Sequence, residues 1–170
     1  MAYSRYDEDR DSAEAIARRA LAIRESLVRE NPSDSKRLLA LAKDLFGLAV
    51  RLSEKMNGPE VIATYEQAAG IMESHAKDDQ AGSFDRNLLA NTYTNLSLLF
   101  ASTGRLVEQK AAIERMIAVR ESLVKLNPAV ETFQNNLGHG LNNLGYFYES
   151  SSRTDEALSA YVRAREVIEL

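Results

Sequence analysis

The residues this chain offers for chemistry are few, and they favour pairing over catalysis. It has no cysteine and only two histidines, His75 and His139. Thiolate sites, disulfides and a histidine-rich metal centre are therefore excluded. No phosphate loop, HExxH pair or nucleophile elbow occurs, so no catalytic residue, cofactor or metal is expected and the chain reads as a non-enzyme. The useful polar groups are amides: Asn91, Asn95, Asn142 and Asn143. Each can both donate to and accept from an extended peptide backbone. Lys43 and His139 stand at related positions, and Phe46, Val50, Leu98 and Tyr146 add apolar contact.

These residues line up because the chain repeats. Glu25, Glu73, Glu121 and Glu169 recur every 48 residues, and AIRESLVRENP (22–32) returns as AVRESLVKLNP (118–128) two periods later. A fixed period in that range marks an array of stacked supersecondary units. The glutamate itself has a simple role available: Glu25–Arg29, Glu73–Lys77 and Glu121–Lys125 are i,i+4 pairs in the favourable orientation. A contact between repeats is the alternative.

Composition fits a folded protein, with 170 residues, 45% hydrophobic and 27% charged. A net charge of −4 argues against a nucleic-acid partner. No apolar run is long enough for a membrane span, and the start is acidic rather than a secretory signal. A cytoplasmic location is the default expectation.

The three prolines mark boundaries. Asn31-Pro32 and Asn127-Pro128 close helices, while Pro59 suits a first turn. Gly104 and Ser151-Ser152-Arg153 hold the corresponding turns of other units. Ala, Leu, Glu and Arg dominate, and strand-like alternation is missing, so the chain is all-α. Superposition at the repeat predicts seven helices near 11–30, 34–56, 59–79, 83–102, 105–126, 129–151 and 154–170. The first is a lone second helix, capped at Asp11-Ser12-Ala13-Glu14. It is followed by repeats at 34–79, 83–126 and 129–170. First helices carry apolar stripes at Leu41, Leu45, Leu48 and Leu52, at Leu89, Tyr93, Leu96 and Phe100, and at Leu137, Leu141, Leu144 and Tyr148. Second helices carry Ala13, Ala17 and Ala20; Val61, Tyr65 and Ala68; Gln109, Ile113 and Met116; and Ala157, Tyr161 and Ala164.

In the last unit, Leu141-x2-Leu144-Gly145-x2-Tyr148 precedes Ala157-x3-Tyr161 and Ala164. This resembles the tetratricopeptide (TPR) pattern, and the style of the repeats is similar to kinesin light chains and bacterial multi-repeat TPR proteins. Leu48-Ala49, Leu96-Ser97 and Gln109 depart from it. The resemblance implies a single domain, a right-handed TPR-like α-solenoid of about seven antiparallel helices. Each 48-residue unit exceeds the usual TPR length by about 14 residues, enough to lengthen both helices by up to ~10 Å if shared between them.

In TPR folds the face of the first helix opposite the core lines a concave groove, and the resemblance implies that this face binds peptide segments. Here it holds Lys43, Phe46, Gly47 and Val50; Asn91, Thr94, Asn95 and Leu98; and His139, Asn142, Asn143 and Tyr146. The alternative is that these residues pack first helices together. Asn95-Leu96 and Asn143-Leu144 resemble the Asn-Leu pairs that can clamp a C-terminal carboxylate, but only Lys43 supplies a supporting cation, so such a clamp is not expected. His139 between Gly138 and Gly140 reads either as a yielding spot with a titratable ring or as close packing that needs small residues. His75 replaces Leu27 and Leu123, so it reads as a partly buried end-of-helix residue.

The expected function is a protein–protein interaction module that takes a peptide or helix of a partner. Its rivals are a regulatory segment for a kinase or protease domain outside this chain and a structural module that self-associates through its terminal helices. An apolar end at Val-Ile-Glu-Leu makes a poor polar cap, so a segment of a larger protein is expected.

Overall fold

The computed structural model describes residues 2–54, 58–77 and 81–169, with side-chain surroundings from Ser12 onward. The described residues form seven helices: α1 Ala2–Glu30, α2 Ser35–Ser53, α3 Pro59–Ala76, α4 Ser83–Ser102, α5 Leu106–Leu126, α6 Glu131–Ser150 and α7 Thr154–Ile168. The fold is all-α and of the solenoid class. Two compact units divide it, Met1–Asp79 and Gln80–Leu170. None of the helices is long and apolar enough to cross a membrane.

Pro59 opens α3 behind Gly58, as its fixed φ and missing donor favour. Asp34 caps α2 by accepting from the backbone N–H groups of Lys36 and Arg37 at 3.0 and 3.1 Å. Gly104 takes φ +70° where α4 ends, and Ser152 takes φ +57° at the matching turn after α6. Both turns close in the same way: Arg105 N–H donates to the Phe100 carbonyl at 2.9 Å, and Arg153 N–H to the Tyr148 carbonyl at 2.9 Å. The excess repeat length sits in the helices, since α4 and α5 take 20 and 21 residues of their unit.

The first helix is longer than the sequence suggests. It starts at Ala2 instead of being capped at Asp11. Nothing before Asp11 breaks a helix, because no proline or glycine precedes it.

In the first unit Leu41, Leu45, Leu48 and Leu52 are buried against Val61, Tyr65 and Ala68. Burying each such leucine is worth on the order of 2 kcal/mol. In the second unit Leu89, Tyr93, Leu96 and Phe100 meet Ile113 and Met116, and Leu137, Leu141 and Leu144 meet Ala157 and Ala164. Three stripe positions depart from this pattern. Gln109, Tyr148 and Tyr161 are only half-buried. The helix turns Phe147 into the core instead, while Tyr148 stacks beneath the Arg153 guanidinium at 4.5 Å.

Helix α1 departs most. Ala13 and Ala17 are half-buried and Ala20 is exposed, whereas its repeat equivalents Ala68, Met116 and Ala164 are buried. Those three lie on second helices packed against the first helix of their own pair, whereas α1 packs on α2, which follows it. Ile16 and Ile23 are 65% and 64% exposed.

The recurring glutamate does not serve one purpose. Glu121 accepts from Arg163 of α7 at 3.0 Å, a contact between repeats instead of the expected pair with Lys125. At the other end, Glu169 lies 3.8 Å from Arg165 within its own helix.

Candidate functional site

In the first unit the outward positions of α2 are half-buried: Lys43, Phe46, Gly47 and Val50. Phe46 packs edge-on against buried Tyr65, with ring centroids 5.8 Å apart. It contributes to the core as much as to a surface.

The second unit differs. Asn91 and Leu98 of α4 are exposed and Asn95 is half-buried, while His139, Asn142, Asn143 and Tyr146 of α6 are all exposed. Leu98 and Tyr146 are large and apolar, yet 63% and 69% accessible. They do not pack first helices together. Amides and apolar groups thus share one open strip on each helix, at the spacing an α-helix imposes on a single face.

Helix α5 brings the two strips together. Arg120, on its inner side, donates from Nη1 to the Asn136 carbonyl of α6 at 2.7 Å and from Nη2 to the Thr94 hydroxyl of α4 at 3.3 Å. The Thr94 hydroxyl also lies 3.0 Å from the Ala90 carbonyl and 3.0 Å from the Met116 sulfur. One guanidinium therefore touches both helices that carry the asparagines. Sequence reading missed Arg120, although the repeat aligns it with Arg24.

The glycines around His139 are a packing device. A Cβ on Gly138 would stand 2.5 Å from Ile168, and one on Gly140 would stand 3.2 Å from Arg120 Nη1 and 3.0 Å from Met116. Gly145 is tighter still, at 2.4 Å from the Tyr161 ring. Helix α6 is thereby seated closely on α5 and α7, with His139 pointing outward between two small residues. His75 lies half-buried near the end of α3.

A hollow apart from these strips was not foreseen. Leu106, Val107, Lys110, Ala111, Glu114, Phe147 and Arg153 line a space of 380 Å³ beside the start of α5. Its rim is apolar, with Leu106 and Val107 exposed. Among the described residues, no group of three or more His, Asp or Glu side chains gathers where a metal ion could be held.

Comparison with known proteins bears on the fold. No family model matches the chain, and no curated protein matches it in sequence. The chain is similar to the crystal structure of BtubC (BKLC) from P. vanneervenii, with TM-score 0.60 and 17% identity over 94% of this chain and 57% of that one. It therefore spans little more than half the length of BtubC, and at this identity the likeness concerns the fold alone. Two structures of MamA align over 98% and 95% of the chain and 93% and 87% of theirs, at 20% and 17% identity. Their TM-scores of 0.27 carry no weight here.

Proposed function

We propose that this chain is a TPR-type interaction module and that the α4–α6 face of its second unit docks an extended segment of a partner protein. The carrying observation is the exposure of Leu98 and Tyr146 among asparagines on helices whose opposite faces are fully packed. Contiguous exposed apolar patches rimmed by polar residues mark interaction sites, and this reading takes Leu98 and Tyr146 as parts of one such patch. Asn91, Asn95, Asn142 and Asn143 pair with the backbone of the bound segment, while Leu98 and Tyr146 take its side chains. On the same reading the module acts by binding and performs no catalysis of its own. The repeats at 34–79, 83–126 and 129–170 are its structural units, and a catalytic domain under its control would lie outside them.

Peptides selected from a displayed random library on the whole chain test this. Their affinity is expected to fall at least ~10-fold for Asn95→Ala/Asn143→Ala, with circular dichroism unchanged. Equal affinity for the native chain and the double variant would remove the asparagines from the reading.

A second reading, self-association, is favoured by the uncovered stripe of α1. Ile16, Ile23 and Leu27 are exposed there, at a spacing that suits helix pairing. Light scattering across concentration should then show a dimer that Ile16→Glu/Ile23→Glu dissociates. A concentration-independent monomer for the native chain rules this reading out.

A further inference from the structure

The two helices that carry the asparagine strips are almost free of charge. A chain that is 27% charged places no Asp, Glu, Lys or Arg within 87–102 of α4 or 132–148 of α6. Charge returns only at the helix ends, at Asp85 and Arg86 of α4 and at Glu131 and Glu149 of α6. The second helices of the same unit are different. Glu114, Arg115, Glu121 and Lys125 stand on the exposed side of α5, and Arg163 and Glu166 on that of α7.

Burial does not account for the difference, because Asn91, Leu98, His139, Asn142, Asn143 and Tyr146 are exposed as well. A helix face turned to water ordinarily carries charge. Charge is a liability on a face that becomes covered, since an ion taken from water without a counter-ion is strongly destabilising. Arg120 does not alter this picture. It is buried where α5 meets the two first helices, and its Nη atoms are held by the Asn136 carbonyl and the Thr94 hydroxyl.

We propose that the segment docked on the α4–α6 face is itself uncharged where it is seated, a stretch of Ser, Thr, Asn, Gln and small apolar residues. This rests on that face being the docking surface and specifies the chemistry of what it takes. The asparagines pair with the carbonyls, N–H groups and side-chain amides of such a segment. They offer no counter-charge to a carboxylate or an ammonium, whose lost hydration stays unbalanced. Selectivity comes from exclusion, by leaving the wrong partner's charge unpaired. Binding of this kind responds little to salt.

The test uses the whole chain and peptides selected on it from a displayed random library. Nuclear Overhauser effects identify the peptide positions that touch α4 and α6, and those positions should hold no Asp, Glu, Lys or Arg. The dissociation constant should change less than ~3-fold between about 0.05 and 0.5 M salt. Placing Glu or Lys at one seated position should weaken binding at least ~10-fold, while Gln, the neutral isostere of Glu, stays within ~3-fold. Asn143→Lys should restore affinity for the Glu peptide and not for the Lys peptide. Charged residues at the seated positions, equal affinity for the Glu and Gln peptides, or steep salt dependence would overturn the proposal and leave the docking surface standing. Selected peptides that contact other parts of the chain, or none that bind, would remove the docking surface and this proposal with it. Shifts of the strips on dilution of the chain alone would assign the face to a second copy, which also overturns it.

Discussion

Replacing Gly145 with alanine should destabilise the protein, although alanine is the better helix former. The added Cβ would lie 2.4, 2.6 and 2.8 Å from three atoms of the Tyr161 ring. Moving that ring aside would also give up its hydroxyl's hydrogen bond to Glu149 at 2.7 Å. Forcing a methyl into a filled site costs about 1–3 kcal/mol, and the gain in helix propensity returns about 1 kcal/mol. The net expectation is a loss of up to about 2 kcal/mol. Gly47→Ala is the control, since its Cβ would meet no heavy atom within 4 Å. Only the propensity term remains there, a gain of about 0.5–1 kcal/mol. Urea unfolding followed by far-UV circular dichroism measures both, with midpoints compared at constant slope. The two glycines lie in different compact units, so the fit allows two transitions. A double-mutant cycle with Tyr161→Ala completes the test, because removing the ring should erase the cost at Gly145. A Gly145→Ala protein stabilised as much as Gly47→Ala would refute the reasoning.

Two further outcomes follow from local geometry. Ser152 occupies left-handed backbone at the turn where its repeat counterpart is Gly104; Ser152→Gly should therefore raise the urea midpoint, by up to about 1 kcal/mol of stability. Glu108 is held below the ordinary carboxylate range first by its own backbone N–H and then by Arg105, and Glu156 is held down by Arg153. A lowered folded pKa contributes stability above the unfolded value that disappears as pH falls through the folded one. Protection factors of amides in the first turns of α5 and α7, with the intrinsic exchange rate divided out, should thus fall on acidification below the ordinary carboxylate range; unchanged protection across that range would contradict the pairing.

Most of the architecture was legible because it follows from periodicity. Leu41, Leu45, Leu48 and Leu52 share a face at any helical register, and Asn-Pro and Gly-Pro steps place the boundaries. The misses arise where a residue depends on neighbours that its own helix does not specify. Tyr148 fits the stripe by spacing, yet Lys110 and Arg153 hold its ring near the surface and Phe147 takes the interior. Asp11 has the chemistry of a cap, but without a breaker before it the helix simply continues. Glu121 could reach Lys125 by sequence; only the placing of α7 beside α5 brings Arg163 to it. That Asn91, Asn142 and Asn143 lie exposed, away from the core stripe, was readable from helical spacing alone. Arg120 was not, because an arginine in an amphipathic helix reads as a surface residue until α4 and α6 are seen to close over it.

Backbone amide shifts of the whole chain, titrated with a library-selected peptide, probe the docking face most directly. The largest perturbations should fall within residues 91–98 of α4 and 139–146 of α6, including Leu98 and Tyr146. Perturbations confined to the hollow at Leu106, Val107 and Phe147, or to the exposed stripe of α1, would contradict it.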